Sequence, residues 1–277
     1  MKPYALVLSN DVQEPEAMLE LIRQTKDYID GVKIGITSSM KPGVDVFARA
    51  KDILKDKAVA AQILADYKVA DIGFTDKQGE WAGTNEKIVR ELSEAGIDYT
   101  TCHTIVGISS IEESVATAHK NGTRVLTLPF MTHKGANLFF GMPLGERQKE
   151  HIYAEFEAYG LTSSNNPDLH GLVQRSDTIT DLILALGHHF KVDGYIGPGN
   201  NPEVLKGYRE FTDNEIWSPG FGRQSKGKNL EQQIAEWVPI VGENSAMIVG
   251  SLIYKAEDPG KAAKEVMETR DKVVANL

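Results

Sequence analysis

The sequence predicts an α/β fold, a single (β/α)8 TIM barrel over residues 1–277 with a long insertion after strand five, at about 131–176. Three observations predict it. Eight short apolar runs alternate with eight amphipathic segments, the pattern of a parallel sheet covered by helices. Eight repeats joined by mostly short connections favour a closed barrel over an open doubly wound sheet, and no linker divides the chain. Charged residues also gather where the first three runs end, on the face where such barrels build their sites.

Taken in order, Tyr4 to Ser9 reads as a buried strand that runs into Asn10-Asp11. Glu14 to Ile29 places Met18, Leu21, Ile22, Thr25 and Ile29 on one helical face, with Glu14 and Glu16 suited to its N-terminal dipole. Gly31 to Gly35 is a second strand with Lys33 at its centre, and a lysine inside a buried strand is either paired or functional. A helix over Pro42 to Leu54 leads to the third strand, Ala58 to Lys68. The unit then repeats as a helix at Asn85–Ala95 and a strand at Asp98–His103, then Ile111–Asn121 and Arg124–Pro129. Helix Thr178–Phe190 precedes strand Gly194–Ile196, Pro202–Phe211 precedes Glu215–Ser218, and Leu230–Val241 precedes Ala246–Val249. Pro259 to Val274 closes the chain. Two connections are long: the polar stretch 76–84 and the excursion 131–176, which carries a helix of its own from Glu146 to Tyr159. Long loops after strands sit on the site-bearing face; a surface insertion or an oligomer contact is the other reading of 131–176.

Composition removes several function classes. A net charge of −9 and a pI near 5.3 do not suit a nucleic-acid surface, which calls for a basic face. The single cysteine, Cys102, forms no internal disulfide and reads as a small core residue. No apolar run is long enough to cross a membrane, and the N-terminus lacks a signal-peptide pattern, so a cytoplasmic protein is expected. None of the seven histidines has metal-binding spacing, and no Gly-x-Gly-x-x-Gly or P-loop pattern occurs. His188-His189 sits at a helix end, and His103 ends the fourth strand, either lining the mouth or as a satisfied structural residue. The turn Gly197 to Pro202 offers free amides to an anion, a weak signal because such turns are common in barrels.

Ala65-Asp66-Tyr67-Lys68-Val69-Ala70-Asp71-Ile72 carries the chemistry. Side chains on a strand repeat every two residues, so Asp66 and Lys68 point to one side, and Asp71 lies where the chain leaves the strand. Buried charges need partners, so a structural ion pair is one reading. Consecutive parallel strands are neighbours, which brings Asp11, Lys33, Asp66, Lys68 and Asp71 to one side of the mouth. There a lysine held protonated beside its acids can deliver a proton to a developing carbanion. Negative charge packed against a substrate carboxylate favours its departure as carbon dioxide.

These residues resemble the orotidine 5′-phosphate decarboxylase family over nearly the whole chain. The resemblance rests on Asp66-Tyr67-Lys68-Val69-Ala70-Asp71-Ile72, on Val32-Lys33-Ile34-Gly35 and on Asp11. Ile196-Gly197-Pro198, Ser218-Pro219-Gly220-Phe221-Gly222 and Ile248-Val249-Gly250 support it in the second half. Asp-x-Lys-x-x-Asp alone is shared with phosphosugar decarboxylases and an aldolase of the same superfamily; Asp71-Ile72-Gly73-Phe74-Thr75 leans toward the nucleotide enzyme. The resemblance implies decarboxylation of orotidine 5′-monophosphate to UMP, with Lys68 as proton donor to C6 and Asp66, Asp71 and Lys33 completing the catalytic network. It implies substrate contacts at Asp11, Ile72, Thr75, Thr132, Pro219 and Gly250, and a homodimer in which Asp71 and Thr75 reach the partner's site. It implies neither metal nor organic cofactor.

One end departs from the pattern. Where the family ends its last strand in Gly-Arg and grips the substrate phosphate, this chain has Gly250-Ser251, and a hydroxyl brings no charge. In the loop after strand seven, Gln224, Gln232 and Gln233 align with two versions of the family, so which glutamine meets substrate stays open. Ile234 falls where one version has a phosphate-binding tyrosine, and Arg223, Lys226 and Lys228 are candidates to supply the missing charge. The alternatives are a phosphosugar decarboxylase or aldolase of the superfamily, often metal-assisted, and a diverged homologue with altered ligand or lost activity.

Overall fold

The computed structural model describes residues 2–57, 60–222 and 227–276. Eight parallel strands close into a barrel in sequence order: β1 Ala5–Asn10, β2 Gly31–Gly35, β3 Gln62–Val69, β4 Tyr99–Cys102, β5 Arg124–Thr127, β6 Gly194–Ile196, β7 Glu215–Pro219 and β8 Ala246–Val249. Around them run α1 Pro15–Thr25, α2 Ile36–Ser39, α3 Asp45–Leu54, α4 Thr84–Glu94, α5 Ile108–Lys120, α6 Glu146–Ala158, α7 Pro167–Gln174, α8 Ile179–His189, α9 Pro202–Arg209, α10 Leu230–Val241, α11 Ser251–Tyr254 and α12 Pro259–Ala275. The expected barrel is therefore present.

Alternation along each strand separates two cores. Leu6 and Leu8 of β1, Val32 and Ile34 of β2, and Ile63 and Ala65 of β3 face the helices and join the large outer core. Ala5, Val7, Leu64, Tyr99, Leu126, Trp217, Ala246 and Ile248 face inward and fill the barrel. Its lower end is plugged by polar contacts. Tyr99 packs on Trp217 at 4.5 Å between ring centroids, Arg124 lies 3.9 Å over the Tyr99 ring, and Glu215 accepts from Tyr99, Arg124 and Trp217. Arg270 on α12 donates to the buried Asp30 carboxylate at 2.7 Å, and Asp30 also accepts from the Leu6 amide. That pair ties the last helix to the start of the barrel.

Several boundaries differ from expectation for local reasons. α1 stops at Thr25, whose hydroxyl donates back to the Leu21 carbonyl, and Ile29 is buried beyond the helix end. β3 starts at Gln62 and extends to Val69; Ala58 and Val59, expected in that strand, lie outside the described residues. The four-residue helices α2 and α11 are too short to show a helical period. In the excursion between β5 and β6, α6 occurs where expected and α7 adds a second helix. Phe156, Leu169 and Val173 of these helices pack with Ile108 and Leu186 in a separate apolar cluster. The excursion is thus seated on α5 and α8. Among the described residues, no helix is long and apolar enough to cross a membrane.

Candidate active site

The inward positions of β1, β2 and β3 become polar toward their C-terminal ends. Register sets Ser9 of β1 beside Lys33 of β2, and Gly35 of β2 beside Asp66 of β3. Lys33 Nζ lies 3.2 Å from Asp66 Oδ2 and 3.5 Å from Asp11 Oδ1, while Lys68 Nζ lies 2.7 Å from Asp66 Oδ1. The result is an alternating chain Asp11–Lys33–Asp66–Lys68. Asp66, its central acid, has a side chain only 16% exposed, and that of Lys33 is 12% exposed. Burial by itself raises the Asp66 carboxyl, but Lys33 and Lys68 more than offset it and hold the group below the usual carboxylate range.

A break in the β3–β4 ladder aims Lys68. Ala65 pairs with Thr100 and Val69 with Cys102, so three residues, Asp66 to Lys68, oppose Thr101 alone. Lys68 takes a left-handed conformation, φ 50°, a strained backbone for a residue with a Cβ. Its amide donates to Thr101 Oγ1 at 2.8 Å, and the same hydroxyl lies 3.0 Å from Asp66 Oδ1. The ladder resumes where the His103 amide donates to the Val69 carbonyl.

These charges form one wall of a cleft of about 290 Å³. Ser9, Lys33, Asp66 and Lys68 face Leu128, Phe130, Met131, Ile196, Pro198, Pro219 and Ile248, with Thr132 and His133 on the loop after β5. An apolar wall opposite a charged one lowers the local dielectric and strengthens the field on anything bound between them. Among the described residues, no group of three or more His, Cys, Asp or Glu is placed to hold a metal ion.

The other expected residues, those between Gly222 and Gln233 apart, fall into three groups. Thr132 and Pro219 line the cleft. Asp71, Ile72 and Thr75 stand on the exposed loop after β3, outside it. That loop is anchored at its base: Asn85 and Ser110 hold the Asp71 backbone, and Gly73 leaves no room for a Cβ against the Ser109 carbonyl. At the far end, Gly250 closely approaches Ser9, and half-buried Ser251 opens α11.

Of the glutamines expected in the loop after β7, Gln232 and Gln233 belong instead to the first turn of α10. The exposed Gln232 is spent on the α10 capping box, where its side chain accepts from the Asn229 amide. Gln233 is buried and clips the loop, accepting from the Gly222 amide and donating to the Lys228 carbonyl. Ile234 is fully buried in the outer core, and Lys228 pairs with Glu236. Arg223, Gln224 and Lys226 lie outside the described residues. Cys102 is buried, its thiol pushed up to about 12 by that burial. Burial, and then the nearby Lys68, lower His103, whose Nδ1 is buried without a hydrogen-bond partner.

Sequence reasoning missed Ser9 and Thr101. Their signal was the alternation itself: with Lys33 and Asp66 inward, Ser9 and Thr101 occupy inward positions at the same end of neighbouring strands.

A family model described as "Orotidine 5′-phosphate decarboxylase / HUMPS family" matches residues 4–266. An orotidine 5′-phosphate decarboxylase from Methanocaldococcus jannaschii is 27% identical over 267 residues, covering 96% of this chain and 99% of the relative. One from Pyrococcus abyssi is 28% identical over 266 residues, covering 95% and 97%. The crystal structure of the M. jannaschii orotidine 5′-monophosphate decarboxylase complexed with inhibitor BMP superposes with a TM-score of 0.72 at 25% identity, covering 98% of this chain and 100% of that one. The Pyrococcus horikoshii OT3 orotidine 5′-phosphate decarboxylase superposes with a TM-score of 0.68 at 26% identity, covering 96% and 99%.

Proposed function

The chain belongs to the orotidine 5′-phosphate decarboxylase / HUMPS family, and from that premise we propose that it is a carboxy-lyase converting orotidine 5′-monophosphate to UMP in cytoplasmic pyrimidine synthesis. One observation carries the reading: the chain Asp11–Lys33–Asp66–Lys68 stands against an apolar wall in a cleft of about 290 Å³.

In this reading the substrate carboxylate is set beside Asp66. Two anions in a poorly solvated site repel, and that repulsion is relieved when the C6–carboxylate bond breaks and carbon dioxide leaves. The bonding pair stays on C6. Lys68, 2.7 Å from Asp66, is poised to stabilise that charge and then transfer a proton from Nζ to C6, giving the C6–H bond of UMP. Lys33 holds Asp66 ionised and in place. Thr132 contacts the pyrimidine, and Asp11 with Lys33 binds ribose hydroxyls. No step draws on a metal or an organic cofactor.

The same reading includes a homodimer in which Asp71 and Thr75 complete the partner's site. Its support is that both lie exposed outside their own cleft. Ile36, Met40, Ile72, Phe74, Ile105 and Val106, all at least 46% exposed, follow three consecutive strands around them. Ser251 favours a second reading of the phosphate end, in which the ligand is gripped more weakly or is different. We assign the missing positive charge to Arg223 and Lys226; substituting both by alanine should raise KM for the nucleotide, and an unchanged KM removes that assignment.

The activity is tested by incubating the protein with orotidine 5′-monophosphate in deuterium oxide. UMP carrying deuterium at C6 supports the reading. An unaltered nucleotide beside magnesium-dependent turnover of a phosphosugar acid supports the alternative within the family.

A further inference from the structure

We propose that Thr101 is a positioning residue whose single hydroxyl locks Lys68 and Asp66 into their reactive arrangement. The proposal rests on the reading of Lys68 as proton donor and adds a residue to it.

The break in the β3–β4 ladder removes the Lys68 amide from ordinary strand pairing, and its left-handed backbone turns that amide toward β4. Thr101, fully buried, supplies the acceptor at 2.8 Å. A hydroxyl that accepts from an N–H has one proton left to give, and Asp66 Oδ1 takes it at 3.0 Å. Asp66 Oδ1 also receives Lys68 Nζ at 2.7 Å. The ring is closed: Lys68 N–H to Thr101 Oγ1, Thr101 O–H to Asp66 Oδ1, Lys68 Nζ–H to the same oxygen. Both ends of the lysine are thereby referred to one carboxylate oxygen. Threonine suits the role because its β-branched side chain is stiff at χ1. Thr100 assists from the opposite face, donating to the Ala65 carbonyl across the same irregularity at 3.3 Å.

Valine at 101 keeps the shape and loses the hydroxyl; serine keeps the hydroxyl. Thr101→Val should lower kcat for orotidine 5′-monophosphate by about 10- to 100-fold, as for other small misplacements of a reacting group. KM should stay within roughly threefold, because the lost contact acts on the reacting geometry and not on uniform binding. Thr101→Ser should restore kcat to within about threefold of the parent. The acid limb of the pH profile should move upward in Thr101→Val, since Asp66 loses a donor while Lys33 and Lys68 still pair with it, Asp11 stands on the other contact of Lys33, and His103 lies nearby. A loss of folded protein alone scales the profile without moving its limb. Parental kcat and limb in Thr101→Val, or equal loss in both variants, overturns the proposal. If the parent protein leaves orotidine 5′-monophosphate unaltered, the functional reading fails by itself. The Thr101 lock is then read from the Asp66 carboxyl titration by carbon-13 NMR, which must rise in Thr101→Val and not in Thr101→Ser; an unmoved titration overturns it.

Discussion

Asp66 holds a charge that few buried carboxylates keep, because two lysines face it at 2.7 and 3.2 Å. Its carboxyl is held low, as is that of Asp30, where burial is outweighed by the Leu6 amide and Arg270. A depressed carboxylate contributes stability that is present above its unfolded value, about 3.9 on average, and lost as pH falls through the folded one. The urea midpoint should therefore hold down to about pH 5 and fall steeply below about pH 4. Asp30→Asn should lower the midpoint at neutral pH and flatten that acid fall; an equally steep fall in the variant counts against the assignment. Lys33, Asp66 and Lys68 were legible as residues because charged side chains on apolar strands are costly. The tie between Asp66 and Lys68 through Thr101 was not, because a threonine on a strand is ordinary and the ladder break beside it is a tertiary event.

At the scale of elements, strand identities followed from apolar runs bounded by polar turns, and β2, β6 and β8 match the expected spans. The roles of Gln232 and Gln233 did not follow, since both sit in the first turn of α10, where the helical period marks the buried face and not which backbone group a side chain bonds. Gln232 closes a capping box and Gln233 clips Gly222 to Lys228. Gln232→Ala should cost at most about 0.5–1.5 kcal/mol of stability, the net worth of one hydrogen bond, and leave KM unaltered. Gln233→Ala frees both ends of the loop and leaves the Gly222 amide without its partner, so it should raise KM while the fold persists. Equal kinetic effects from the two substitutions would show that the division of labour is misread. The seating of α6 and α7 was likewise hidden: Phe156, Leu169 and Val173 pack with Leu186 on the following helix α8 and with Ile108 on the distant α5.

The whole molecule is a closed ring of strands, so the pair joining its two chain ends matters disproportionately. Arg270→Ala leaves the buried Asp30 with the half-exposed Lys2 and the Leu6 amide as its partners and should cost about 1–3 kcal/mol in equilibrium unfolding. Closure was legible from eight repeats; the exposed apolar side chains on the loops after β2, β3 and β4 were not, because neighbouring loops can be read from strand order but the exposure of their apolar residues cannot. If that surface joins two copies, mixing Lys68→Ala with Asp71→Asn, each inactive alone, should restore about a quarter of the parent's sites on random reassociation. No recovery after verified subunit exchange contradicts the shared site. In the proposed mechanism Lys68, held by Asp66, performs a metal-independent decarboxylation of orotidine 5′-monophosphate. The most direct measurement follows the loss of pyrimidine-carboxylate absorbance by the parent protein and by Lys68→Ala, each with and without chelator. Under that mechanism parental turnover is indifferent to chelator and falls about 10²–10⁴-fold in the folded variant, the range of a lost general acid. Equal turnover by both proteins, or turnover abolished by chelator, would contradict it.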